Sequence, residues 1–183
     1  IKGLKKLCQK NGILLIFDEV QSGFGRTGKL FAYELYKTKP DIMTMAKALG
    51  GGVAIGAMAS TNRVMKSFVP GTHAATFGGN PLACSAALAS LKLITGKNFL
   101  NKVTATGIYF LKRLQEIARK NPIVKEARGA GMFLALELNQ PGHEIVIDCM
   151  KQGFLINCIQ QNVLRFIPPL TISRQDIDSL ISV

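Results

Sequence analysis

An acid and an amine stand at the ends of two apolar runs, and their placement raises the first chemical question. Asp18 closes "ILLIF" (residues 13–17), and Lys47 follows "DIMTMA" (41–46), twenty-nine residues after Asp18. The first run is short, apolar throughout and partly β-branched, which predicts a buried parallel strand, and the second predicts another strand. Open α/β sheets bind their ligands at the carboxyl ends of such strands. A carboxylate there is poorly solvated and wants a cationic partner. A lysine there, just before Gly50, Gly51 and Gly52, is set up as an amine nucleophile. A carboxylate for a pyridinium nitrogen and an amine for an aldehyde are the two groups that pyridoxal phosphate chemistry asks of a protein. On spacing alone, the competing reading of Lys47 is an ordinary surface group.

The stretch "LLIFDEVQSGFGRTGKLF" (14–31) offers a rival chemistry. Gly23, Gly25 and Gly28 fit G-x-G-x-x-G, the dinucleotide fingerprint. In that fingerprint the first glycine follows its strand almost at once, and an acid about 20 residues further on holds a ribose. Here Asp18 and Glu19 stand between strand and glycines, and the next acids are Glu34 and Asp41. The spacing fits poorly, and an irregular loop that needs positive φ angles is the better reading.

Around these residues the chain reads as alternating helices and strands. Residues 3–10 predict an amphipathic helix ended by Asn11-Gly12. "VAIGAMAS" (53–60) predicts a third strand, and "PLACSAALASLKLI" (81–94), opened by Pro81, a buried helix. A long charged amphipathic helix is expected over 98–120, ended by Asn121-Pro122. Shorter elements follow: "IVKEARGAG", "MFLALEL", a helix near 143–152, "FLINCI", "VLRFIP" and a helix from about Ser173. The change of pattern near Gly96 puts a domain boundary near 97, so that 1–97 and 98–183 form two α/β parts.

Composition narrows the function classes. With 48% hydrophobic residues, the chain can build a folded core. No apolar run approaches the ~20 residues of a membrane-spanning helix, so a soluble chain with no membrane partner is expected. Cys8, Cys84, Cys149 and Cys158 include no C-x-x-C pair, which argues against a metal site or a disulfide framework and suits a reducing cytoplasm. The net charge of +12 could attract nucleic acid. The cations are dispersed, however, as in "LKKLCQK" and "LKRLQEIARK", and tryptophan is absent. Solvated helix faces account for them, and no nucleic-acid partner is expected. Ile1 falls inside a helical pattern and "DIDSLISV" stops inside another, so the sequence reads as a piece of a longer chain.

Taken together, "LLIFDEVQSGFGRTGKLFAYE", "PDIMTMAKALGGG", "IGAM", "GTHAATFGGNPLAC" and "NVLRFIPPLTIS" closely resemble the class III (ornithine-type) aminotransferases, in order and along essentially the whole chain. The nearest subgroup acts on acetylornithine and succinyldiaminopimelate. The resemblance implies an α/β fold of the fold-type I pyridoxal phosphate transferases. Residues 1–97 would be the later part of the large, mostly parallel-sheet domain, and 98–183 most of the small C-terminal domain. It implies pyridoxal 5′-phosphate as cofactor, with Asp18 on the pyridine nitrogen, Val20 on the ring face and Gln21 on the phenolate oxygen. Lys47 would join the cofactor aldehyde and then carry the substrate proton. Thr76 would reach the cofactor phosphate of the neighbouring protomer, in a homodimer with a shared active site. Arg165 would grip the substrate α-carboxylate. Glu19, His73 and Arg128 are expected to be structural. The implied reaction takes the amino group of N-acetylornithine to 2-oxoglutarate, in arginine biosynthesis. Alternatives are another class III ω-amine donor, ornithine or 4-aminobutyrate, or an inactive fragment.

The sequence also departs from the family pattern. Ala74-Ala75 stand where Gly-Ser is usual, and Val53-Ala54 replace an aromatic-Pro pair. Family members have roughly twice this length, and their main phosphate loop and ring-stacking aromatic residue have no match in residues 1–13.

Overall fold

The computed structural model describes residues 1–183. The chain divides into two compact units, one of Ile1–Gly25 with Lys29–Phe99 and the other of Arg26–Gly28 with Leu100–Val183.

The first unit opens with helix α1 (Lys2–Lys10), and Gly12, at φ +67°, turns the chain out of it. Strand β1 (Ile16–Asp18) then pairs in parallel with β2 (Ile42–Met45), after the single-turn helix α2 (Tyr33–Tyr36). Strand β3 (Ala57–Ser60) pairs antiparallel on the other side of β2, giving the order β1-β2-β3. Two of these strands are shorter than the apolar runs predict. Ile13 donates its N–H to the Cys8 carbonyl at 2.9 Å, so the start of "ILLIF" completes the exit from α1. Residues 53–56 follow Gly51 and Gly52, both at positive φ, and join no strand. The expected burial of the first strand on both faces also fails. β1 has β2 on one side only, and Ile13, Leu14 and Ile16 are exposed.

After the short α3 (Asn62–Met65) comes α4 (Pro81–Ile94). Its start is written in the sequence: Asn80 accepts from the Ala83 N–H at 2.9 Å, and Pro81 fills the first turn, where no N–H partner is needed. Only one face of α4 is buried, through Ala83, Ala87 and Ile94, while Leu82, Leu88 and Leu93 are exposed. The buried helix expected from composition is thus a half-covered one.

The second unit packs α5 (Phe99–Lys120) against an antiparallel sheet of β4 (Val124–Ala130), β5 (Phe133–Leu138), β6 (Asn157–Ile159) and β7 (Val163–Phe166). The strand order is β4-β5-β7-β6. Helix α6 (His143–Lys151) follows β5, and α7 (Arg174–Ser182) ends the chain behind a Ser173–Asp176 capping box. Alternation in "FLALEL" sends Leu134, Leu136 and Leu138 inward, where they meet Phe110 and Leu114, one turn apart on α5. The ring of Phe110, fully buried, meets Phe166 edge-on at 5.5 Å. Asp178 ties α7 to α5 by accepting from the Tyr109 hydroxyl at 2.6 Å and pairing with Arg113 at 3.0 Å. No helix is long and apolar enough to cross a membrane.

In the first unit Asp41 anchors α1 beside the sheet. Its carboxylate accepts from Lys5 Nζ at 2.8 Å and from the Leu15 N–H at 2.9 Å. The Lys5 hydrogen bond first, and the Leu15 amide second, hold its carboxyl below the ordinary carboxylate range. A group with a depressed folded-state pKa stabilises above its unfolded value of about 3.9, and that stabilisation is lost as pH falls through the lower, folded value. Asp41→Asn is therefore expected to flatten the acid limb of stability. Denaturant midpoints measured from about pH 6 to pH 2 check this, and parallel curves for the two proteins would contradict it.

Candidate active site

Asp18 lies at the carboxyl end of β1, and its register partner on β2 is Thr44. Its Oδ1 accepts from the Val20 N–H at 2.9 Å and from the Thr44 hydroxyl at 3.2 Å. Both donors are neutral, and Oδ2 has no protein partner. Solvation differs from the expectation for a strand-end carboxylate: Asp18 ends an edge strand and is exposed in this chain, and it forms no ion pair with another residue, so Oδ2 is free for a cation from outside the chain.

Lys47 comes three residues after Thr44 and opens the 3₁₀ turn Lys47–Gly50. Its φ of +49° is in the left-handed region, which a residue with a Cβ occupies at a cost of about 1–2 kcal/mol. The turn is held from outside. Ser90 of α4 donates its hydroxyl to the Ala48 carbonyl at 2.7 Å. The side chain of Lys47 is exposed and makes no hydrogen bond or salt bridge. Asp18 and Lys47 thus leave the same end of two adjacent parallel strands, Asp18 with one free carboxylate oxygen and Lys47 with a free amine.

The glycine loop between them is organised by Glu19. Glu19, the residue after β1, is only 2% exposed where Asp18 is open. Its carboxylate accepts from the Ser22 hydroxyl, the Ala32 N–H at 3.0 Å and the Tyr33 N–H at 2.8 Å. The Glu19 carbonyl accepts from the Gly23 N–H at 3.0 Å, and a Cβ at Gly23 would come within 2.8 Å of that oxygen. Gly25 and Gly28 take φ of +91° and +83°. No helix opens at Gly28, as a dinucleotide turn would require; the next is the single turn α2. The loop therefore closes on a buried acid. Val20 and Gln21, half-buried, occupy its first positions.

The other expected site residues sit elsewhere. Thr76, exposed, starts the turn 76–79 that leads into the Asn80 cap of α4, and its hydroxyl has no partner. Ala74 and Ala75 beside it are exposed as well. Arg165 belongs to the second unit, on β7 between Ala135 of β5 and Asn157 of β6. Its guanidinium lies 5.5 Å from the Phe133 ring centroid, pairs with no carboxylate, and lines a cavity of about 460 Å³ with Phe154, Leu155, Pro168 and Pro169. Arg128, in contrast, is bound to Glu137 and Glu126, and the Glu137 hydrogen bond foremost raises its pKa further. His73 stacks at a tilt 5.4 Å from Phe68.

Sequence reasoning missed Arg26. Its Nη1 donates to the Pro168 carbonyl at 2.5 Å and to the Met132 carbonyl at 3.2 Å. Burial first, and the Arg165 charge second, lower its pKa. The available signal was slight: Arg26 is the one cation inside "GFGRTG".

A carboxylate and an amine offered at one sheet edge are the donor set of a pyridoxal phosphate enzyme, and the family comparison agrees. The class III aminotransferase family model matches residues 1–183, and the chain belongs to that family. Members of this family use pyridoxal 5′-phosphate, and a free carboxylate oxygen and a free amine at one end of the sheet are of the chemical kind that cofactor requires. The chain is 48% identical over 182 residues to acetylornithine aminotransferase of Methanocaldococcus jannaschii, covering 100% of this chain and 46% of that protein. It is 42% identical to ornithine aminotransferase of Oceanobacillus iheyensis, covering 97% of this chain and 44% of that protein. Among solved structures, acetylornithine aminotransferase of Elizabethkingia anophelis superposes with a TM-score of 0.91 at 32% identity, over 99% of this chain and 47% of that one. The fold is that of the fold-type I aminotransferases. The chain spans about half the length of the relatives it matches.

The Glu19 knot gives a direct test. Glu19→Ala leaves the half-buried Ala32 and Tyr33 N–H groups without acceptors and is expected to cost about 2–4 kcal/mol. Urea midpoints measure the loss, and a change within about 0.5 kcal/mol would contradict the assigned role.

Proposed function

We propose that the full-length protein carrying this chain is a pyridoxal phosphate-dependent acetylornithine aminotransferase, moving the amino group of N-acetylornithine to 2-oxoglutarate in arginine biosynthesis. One observation supports this reading most: Asp18 and Lys47 emerge from adjacent parallel strand ends with a free carboxylate oxygen and a free amine. The names of the relatives, most of them acetylornithine aminotransferases, narrow the substrate class.

Bound pyridoxal phosphate would supply the electron sink that makes the C–H beside the transferred amino group acidic. The residues of this chain do the rest. Asp18 would keep the ring nitrogen charged by ion pairing. Its other oxygen is already committed to Val20 and Thr44, so the carboxylate is oriented before the ligand arrives. Val20 would pack on the ring face and Gln21 would hydrogen-bond the phenolate oxygen. Lys47 would hold the aldehyde through its amine, and the same amine would carry the proton at the substrate carbon. Thr76 donates to the phosphate in the neighbouring protomer, which makes a homodimer with a shared active site the working unit. Arg165 takes the substrate α-carboxylate as a two-pronged hydrogen-bond donor. Residues 1–97 serve as the later part of the large domain and 98–183 as the small one, in a cytoplasmic enzyme.

A second reading has ornithine as donor, because ornithine aminotransferases also occur among the relatives and the solved structures. Turnover of the full-length protein with N-acetylornithine, ornithine and 4-aminobutyrate, each with 2-oxoglutarate, separates them. The highest kcat/KM is expected for N-acetylornithine, and a clear preference for free ornithine would replace the first reading by the second.

Asp18→Asn keeps an oxygen for Val20 and Thr44 but removes the charge. It is expected to lower kcat on the order of a hundredfold or more while leaving stability near that of the parent. Unchanged turnover with bound cofactor would contradict the role of Asp18.

A further inference from the structure

β5 and β7 pair antiparallel from Glu137↔Val163 to Leu134↔Phe166. Continued by two residues, that register sets Met132 opposite Pro168. Proline has no N–H, so the ladder cannot be extended from that side. The Arg26 guanidinium bridges the gap, with Nη1 donating to both the Met132 and Pro168 carbonyls. The Arg26 carbonyl in turn accepts from the Met132 N–H at 2.8 Å, so backbone and side chain are both fixed.

The seat of this residue is built for close approach. Gly131, at φ +55°, has no room for a Cβ: the atom would lie 2.4 Å from Thr27 C and 2.7 Å from the Arg26 carbonyl oxygen. Thr104 of α5 donates to the Gly28 carbonyl at 3.0 Å. Arg165 lies on β7, three residues before the clasped Pro168, and none of the chain's ion pairs involves Arg26 or Arg165.

We propose that Arg26 is a positioning residue for Arg165: by bridging two carbonyls across the proline break, it fixes the end of β7 and the height at which Arg165 meets a substrate carboxylate. The inference rests on the reading of Arg165 as the carboxylate-binding group. It also adds to it, because a second unneutralised cation beside Arg165 strengthens the preference for an anion.

The experiment uses the full-length enzyme with its cofactor and compares R26Q, R26K and R165Q with the parent. The first readout is the ratio of kcat/KM for the carboxylate-bearing amino donor to that for the same amine lacking the carboxylate. The second is amide hydrogen exchange at Leu134 and Phe166. R26Q is expected to lower the ratio at least tenfold, mainly through KM of the carboxylated donor, and to speed exchange at both amides. R26K, whose ammonium can donate to both carbonyls, is expected to keep the ratio within about threefold of the parent. Should R26Q fail to fold, R26K decides by the same ratio: retention within that range supports the clasp, and an equal loss for both donors overturns it. A ratio and exchange unchanged in R26Q overturn the inference, as does an equal loss for both donors. A parent preference lost in R165Q but kept in R26Q defeats the positioning role alone. A preference that survives in R165Q defeats the reading of Arg165, and the inference with it.

Discussion

The parallel pairing of β1 with β2 constrains the site more than any single side chain does. Parallel strands run their carboxyl ends to the same edge, so whatever follows each strand emerges on one side of the sheet. With Asp18 level with Thr44, the hydroxyl of one strand steadies the carboxylate of the other, and the chain turns directly into Lys47. An acid and an amine far apart in sequence thereby emerge at the same end of the sheet, with no contact between them. That arrangement suits a ligand that needs both a carboxylate and an amine.

The two acids of "DEV" show how one strand end serves structure and chemistry together. Asp18 closes β1 in the open, and Glu19, the next residue, is buried. Glu19, buried, has its charge met by three donors from the loop it closes, and the backbone of 22–33 is shaped around it. Asp18 keeps one oxygen free. Lys47 shows the complementary arrangement: its own head is uncommitted, while its backbone is held in a strained conformation by a 3₁₀ turn that Ser90 braces. In both cases the surrounding structure fixes the main chain and leaves the reactive atom available.

Much of this was legible in the residues. Pro81 and Asn80 mark the start of α4, Asn121-Pro122 the end of α5, and Ser173 the start of α7, because each signal satisfies or withholds particular backbone hydrogen bonds. The carboxyl ends of β1 and β2, at Asp18 and Met45, were legible to within two residues from apolar runs meeting charged groups. The strand starts were not, because "ILL" is apolar whether it pairs in a sheet or completes a helix exit. Apolar pattern also states what Leu82, Leu88 and Leu93 could bury, not which surface covers them; in this chain they are open. The role of Arg26 was illegible for a different reason. Its partners lie 106 and 142 residues away, and nothing local records a contact that the register of two distant strands creates.

The proposed chemistry turns on Lys47, just beyond β2, being the amine that holds the cofactor. Borohydride reduction of the full-length enzyme loaded with pyridoxal phosphate, followed by peptide mapping, is expected to place a single label on the peptide containing Lys47. A label on a different lysine, with Lys47 unmodified, would contradict it.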